Sequence, residues 1–221
     1  MKNTMTVPPQ GLRDKAKTER LRRIRAAAEE LFSERGYEHT TTKEIAEAAE
    51  VGEATLFRYV TSKHELLLLV LGERMDKVIQ VIKSEDLRRA PTSCAPADYV
   101  DRIYAIFKAR AEFYTTDPEN VLKYLQYGLT AGSQLGAESI RQGDEIIALT
   151  KSVLDQAREA GLLLPFVDTW AVAQNCNGIY IHEVLRTPVR KFGPHAMWDR
   201  IHERVAAQIE PLFPGIYPPT C

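Results

Sequence analysis

The groups in this sequence best able to hold a metal or attack a substrate are five histidines and three cysteines, and their spacing assembles neither chemistry. His195 and His202 fall seven residues apart in a helical stretch, about 10.5 Å along the axis, too far to share one ion without other ligands. His182 and Glu183 are neighbours in sequence, so their side chains point in different directions. Cys94, Cys176 and Cys221 are odd in number, far apart and without a C-x-x-C pair, which indicates reduced thiols rather than a disulfide framework or zinc site. G-x-S-x-G, G-x-G-x-x-G, Walker-type and H-E-x-x-H motifs are all lacking. The expectation is a protein that is not an enzyme and uses no cofactor or metal.

Charge offers a different chemistry. Lys2, Arg13, Lys15, Lys17, Arg20, Arg22, Arg23 and Arg25 face only Asp14 and Glu19 within residues 1–28, a local charge of +6. The whole chain carries −1, so the remainder is mildly acidic at −7. A basic N-terminal arm, here residues 1–17 taken as flexible, suits phosphates by attraction and counterion release, although a solvated tail has the same composition.

These groups are positioned by helices. Apolar residues recur at steps of three and four almost throughout, and no alternating strand of convincing length interrupts them, which predicts an all-α fold. The longest apolar run, Leu66 to Leu71, is far short of the roughly twenty residues of a spanning helix, and the N-terminus lacks a secretory signal, so a cytoplasmic location is expected. Leu21, Ile24, Ala28, Leu31 and Phe32 form one stripe of a helix from Thr18 to Arg35, closed by Gly36. Thr41 and Glu44 have capping-box spacing, so a short helix begins at residue 42. Val51-Gly52 interrupts it, and Thr55 to Val60 resumes helical spacing. A long helix follows over 63–82, capped by Thr61-Ser62, until Ser84–Ala97 breaks the pattern with two prolines. Further helices are predicted over 98–115, 118–132, between Gly136 and Gly161, over 167–185 ending at Thr187-Pro188, and over 194–209. The proline-rich tail Pro211–Cys221 cannot continue the last one.

A two-turn helix, a Val-Gly turn and another short helix make a helix-turn-helix, whose second member can enter a major groove. Residues 24–71 resemble the DNA-binding domain of the TetR family of bacterial transcription regulators. The resemblance rests on Ile24, Ala27-Ala28, Leu31-Phe32, Gly36-Tyr37, Thr40-Thr41-Thr42, Ile45-Ala46, Ala49, Val51, Thr55-Leu56-Phe57, Tyr59, Ser62-Lys63 and Leu66, in order and without a gap.

This resemblance implies a helix-turn-helix domain over 18–63 and a larger helical ligand-binding and dimerisation domain over 64–221. It implies that Thr41, Thr42 and Lys43 lie on the phosphate backbone, that Thr55, Arg58 and Tyr59 face the groove, and that Lys63 holds a further phosphate. Arg58 is the candidate for a guanine edge and Tyr59 for a phosphate or thymine. Departures also occur. Glu50 stands where the family turn usually has Gly, Gly52 where a capping Ser is common, Glu53 where Lys or a small polar residue is usual, and Phe57 where Tyr often is. They leave open an all-α interaction protein that has lost specific DNA binding.

By the same resemblance the C-terminal part forms a homodimer through its last two helices, where Ile179, Ile181, Val184, Leu185, Trp198, Ile201, Val205 and Ile209 recur at helical steps; an intrachain core would give the same stripe. It also implies a small-molecule pocket, for which Tyr104, Phe107, Tyr124, Tyr127, Trp170, Asn175, Asn177 and Tyr180 mix aromatic and polar character. The expected function is a sequence-specific transcriptional regulator, a ligand-released repressor that binds an inverted-repeat operator in double-stranded DNA as a dimer. The expected lever is the long helix 63–82.

Overall fold

A computed structural model describes residues 11–89, 95–130, 132 and 134–214. The described residues form α-helices joined by short turns, with no extended strand among them. They divide into two compact units, one up to Val70 and one from Leu71. This division falls within the helix that begins at Lys63.

The N-terminal unit contains α1 (Leu12–Arg35), α2 (Thr42–Ala48), α3 (Glu53–Leu56) and the start of α4 (Lys63–Arg89). Helix α1 begins six residues earlier than its apolar stripe suggests, so residues 12–17 of the expected flexible arm are helical. The Gly11 carbonyl accepts from the amides of Asp14 and Lys15, and Thr18 returns its hydroxyl to the Asp14 carbonyl. Lys2 lies outside the described residues. Gly36, with φ of 79°, ends α1 in a conformation open to glycine. Ile24, Ala28, Phe32, Ile45, Leu56, Val60, Leu66 and Leu67 are buried and form the core of this unit.

The C-terminal unit holds the rest of α4 with α5 (Pro96–Thr116), α6 (Pro118–Thr130), α7 (Gln134–Glu159), α8 (Thr169–Val189) and α9 (Met197–Ile209). Helix α5 is central and packs against α6, α7, α8 and α9. Helix α4 runs past residue 82 to Arg89, because Ser84 to Arg89 contains no breaker, and its extra turns bring Asp86 against Arg102 of α5. Helix α8 runs through the expected stop at Pro188. Proline there removes one amide, but the amides of Arg190 and Phe192 close the end on the carbonyls of Arg186 and Thr187. A 3-10 turn, Pro194–Ala196, precedes α9, and another, Glu210–Leu212, follows it.

The stripe read from the sequence as dimer face or intrachain core divides by burial. Val184, Ile201, Val205 and Ile209 are buried within the chain and belong to its own core. Ile179, Ile181, Leu185 and Trp198 are half-buried.

Candidate nucleic-acid interface and ligand cavity

Local hydrogen bonds build the helix-turn-helix. Thr41 Oγ1 accepts from the Glu44 amide at 3.2 Å and the Glu44 carboxylate accepts from the Thr41 amide at 2.8 Å, the reciprocal cap that starts α2. The Thr41 hydroxyl, which donates to Glu44 Oε2 at 2.8 Å, and then the Thr41 amide hold the Glu44 carboxyl below its ordinary range, with Arg35, 3.1 Å away, adding to the effect. The turn that follows passes through Glu50 with φ of 53°, a left-handed backbone, and the Val51 amide bonds the Ala46 carbonyl at 3.0 Å. Helix α3 is only four residues long. Helical bonding continues past it, from the amides of Phe57 and Val60 to the carbonyls of Glu53 and Leu56, so Leu56 and Val60 stay inside.

Within this frame Lys43 and Arg58 are exposed, as is Thr41, while Thr42, Thr55 and Tyr59 are half-buried. Thr42 donates to Glu53 Oε1 at 2.8 Å, tying the start of α2 to that of α3. Lys43 lies 4.0 Å from Glu47 on the next turn. Lys63 rests its ammonium 4.2 Å above the Tyr37 ring and reaches the Glu38 carbonyl at 3.5 Å. Tyr37, which also stacks on His64, is a positioning residue that sequence spacing alone did not single out. The departures from the family pattern are held within the unit: Glu50 pairs with Arg23 at 3.0 Å and Glu53 with Thr42. Phe57 remains exposed.

In the C-terminal unit a cavity of about 130 Å3 lies among α4, α5, α6, α7 and α8. Met75, Leu125, Leu129, Ile140, Ile146 and Ile181 supply its apolar wall. Its polar wall includes Arg110, Tyr124, Ser139, Gln142, Asp144 and Asn177. Tyr124 donates its hydroxyl to Gln142 Oε1, while Gln142 Nε2 donates to the Gly72 carbonyl at 2.9 Å and to Asp76 at 2.7 Å. Arg110 donates to Asn177 Oδ1 at 2.6 Å and lies 3.7 Å over the Tyr180 ring. Burial pushes the phenols of Tyr124 and Tyr180 up to about 12, so both are neutral; Tyr124 donates to Gln142, while the Tyr180 hydroxyl is buried without a hydrogen-bond partner.

Of the candidate ligand residues, the cavity wall includes Tyr124 and Asn177, and Tyr180 supports Arg110 behind it. The fold does not bring the others there. Phe107 is buried in the core, and Tyr127 is half-buried outside the wall. Tyr104 donates to Glu210 at 2.5 Å and packs against Trp198 and His202. Trp170, 43% exposed, and Asn175 face outward from α8. Arg110 was legible only as an anomaly, a charged residue at helical spacing from Ile106, Phe107 and Phe113 in the apolar stripe of α5.

Cys176 is a buried free thiol pushed up to about 12 by desolvation, while Cys94 and Cys221 lie outside the described residues. No group of histidine, cysteine and acidic side chains among the described residues is placed to hold a metal ion. No described helix is long and apolar enough to cross a membrane.

Residues 24–70 match the family profile described as "Bacterial regulatory proteins, tetR family". The chain is 56% identical over 39 residues to the HTH-type transcriptional regulator TcmR of Streptomyces glaucescens, covering 18% of this chain and 17% of that protein. It is 35% identical over 78 residues to the HTH-type transcriptional repressor KstR of Mycolicibacterium smegmatis, covering 35% and 38%. The matches thus span under two-fifths of either relative's length. In fold, the chain is similar to Thermus thermophilus FadR, a TetR-family repressor solved with lauroyl-CoA, with a TM-score of 0.67 and 22% identity over 90% of this chain and 98% of that one. The ordered match through the helix-turn-helix and the all-helical likeness beyond it agree: residues 24–70 are similar to the DNA-binding domain of the tetR family of bacterial regulatory proteins, and the chain as a whole shares the fold of solved members of that family.

Proposed function

We propose that the protein is a sequence-specific transcriptional repressor that binds an inverted repeat as a homodimer and releases it when a small molecule occupies the C-terminal cavity. The observation that carries this reading is the helix-turn-helix itself, with Arg58 exposed beyond a buried Leu56/Val60 face. Thr41, Thr42, Lys43, Thr55, Arg58, Tyr59 and Lys63 are its DNA-contacting residues. A two-fold pair of such units would set its recognition elements about one DNA turn apart, roughly 34–36 Å.

Glu50 and Glu53 are the residues that most favour an interaction protein without DNA. Their bonds to Arg23 and Thr42 give each a role inside the unit, which supports the regulator reading over that alternative. FadR proteins of the same fold from Thermus thermophilus and Bacillus subtilis were solved in complex with lauroyl-CoA and stearoyl-CoA, and the C-terminal unit is the counterpart that would take an effector here.

Selection of purified protein against a random duplex DNA library at near-physiological salt tests the reading. Enrichment of an inverted repeat with half-site centres about one turn apart is expected. Salt-sensitive binding with no enriched sequence would reject it in favour of the interaction protein.

A further inference from the structure

Helix α5 buries two arginines eight residues apart and satisfies them differently. Arg102, 3% exposed, grips Asp86 with both arms, Nε to Oδ1 at 2.7 Å and Nη2 to Oδ2 at 3.0 Å, and gives its remaining arm to Gln156 at 3.0 Å. Arg110, 4% exposed, has one donated bond, to the neutral Asn177 amide, and the face of a neutral phenol. Its Nε has no partner, and the titratable groups that act on it are the phenols of Tyr180 and Tyr124, with no carboxylate among them.

A buried cation without a counterion is costly, because desolvation is not offset by an opposite charge. Burial pushes the Arg110 guanidinium down to about 10, leaving it charged at neutral pH. It stands in the wall of the cavity among Leu125, Ile146 and Ile181. Asp144, the acid of that wall, is exposed rather than turned to the guanidinium. A guanidinium fork matches the two oxygens of a carboxylate, and the apolar wall matches a hydrocarbon or aryl body. The cavity is smaller than the roughly 300–1,000 Å3 of drug-sized sites, which favours a compact molecule.

We propose that the cavity binds a compact organic carboxylate, its anionic head paired with Arg110 and its apolar body against the wall from α4, α6, α7 and α8. The bound anion supplies the counterion that Asp86 gives Arg102. This inference names the effector class for the proposed repressor and rests on that reading only for the consequence on DNA.

Calorimetric titration of the full-length protein, without DNA, compares octanoate with its neutral counterpart octanamide and with acetate, which has the head and no body. Octanoate should bind about tenfold or more tighter than either. Arg110→Met should remove the preference for acid over amide, bringing octanoate affinity down to that of octanamide in the same variant. Equal affinity for acid and amide, no octanoate binding to the wild-type protein, or a preference that survives in R110M would overturn the proposal. The wild-type comparison stands even if the variant fails to fold. Octanoate that binds with the expected preference but leaves operator affinity unchanged would instead reject ligand release and keep the site.

Discussion

Arg58 and Lys63 differ in what holds them, and this separates their expected effects on DNA. Arg58 is exposed, whereas Lys63 is pinned over Tyr37 beside the Glu38 carbonyl. A free fork can follow a base edge, while an ammonium held near the start of α4 acts as a fixed charge. Arg58→Ala should therefore relax preference at one base pair per half-site by about 1–3 kcal/mol in competition assays. Lys63→Ala should weaken all sequences alike and lower the salt slope by about one. The opposite pattern would reverse the assignments. The two buried arginines of α5 give a stability test of the same kind. Arg102→Met strands Asp86 and should cost about 3 kcal/mol in denaturant unfolding, because a buried pair is broken. Arg110→Met removes a charge that has no counterion and should stay within about 1 kcal/mol of wild type, the lost bond to Asn177 offset by the relieved desolvation. A loss as large as that of R102M would make Arg110 a structural residue.

Short elements in the N-terminal unit depend on their ends. Glu50 occupies a left-handed backbone at φ of 53°, which costs a side chain and not a glycine. Glu50→Gly and Glu50→Ala both lose the exposed pair with Arg23, so their difference isolates the backbone, and the glycine variant should be more stable by about 1 kcal/mol in thermal or denaturant unfolding. Equal stability would mean that the turn relaxes. At the start of α2 the Glu44 carboxyl has a folded value below its ordinary 4.5, chiefly through its hydrogen bonds with Thr41. Its contribution is complete above the ordinary value and is lost as pH falls through the lower folded one. The protection of the Thr41 amide against exchange, relative to an unstructured amide at the same pH, should fall over that window in the wild-type protein. In Thr41→Ala the cap is gone at every pH, with a loss of about 1 kcal/mol, and the acid step should shrink. This cap was legible from T-x-x-E spacing because both partners lie within one turn. The passage of α8 through Pro188 was not, since it depends on where the amides of Arg190 and Phe192 find carbonyls after the proline.

At the scale of the whole molecule, effector and operator communicate only through linkage. A ligand must bind the DNA-free state more tightly than the DNA-bound one, and a tenfold preference supplies about 1.4 kcal/mol against the operator. Helix α4 contributes to both units, which makes it the candidate lever of the proposed regulator, with its first residues in the N-terminal unit and Met75 in the cavity wall. Operator titrations at increasing octanoate should show affinity falling to a plateau set by that preference. By reciprocity, octanoate affinity must fall by the same factor on saturating DNA. A factor of one in either titration would reject release of the operator by that ligand.

The sequence by itself determined the helical class, the helix-turn-helix and most helix ends, because caps, breakers and apolar periodicity act within a few residues along the chain. Tertiary structure alone decided which apolar residues of α8 and α9 face inward, since Val184, Ile201, Val205 and Ile209 share a period with any outward-facing stripe. It likewise decided that Trp170 and Asn175 stand outside while Tyr124 and Asn177 meet in one wall. Composition made Arg102 and Arg110 alike. Whether a buried charge finds its counterion depends on what packs opposite it, Asp86 for one and an apolar cavity for the other, and that is settled by contacts between different helices, 16 residues apart for Arg102 and Asp86 and 67 for Arg110 and Asn177.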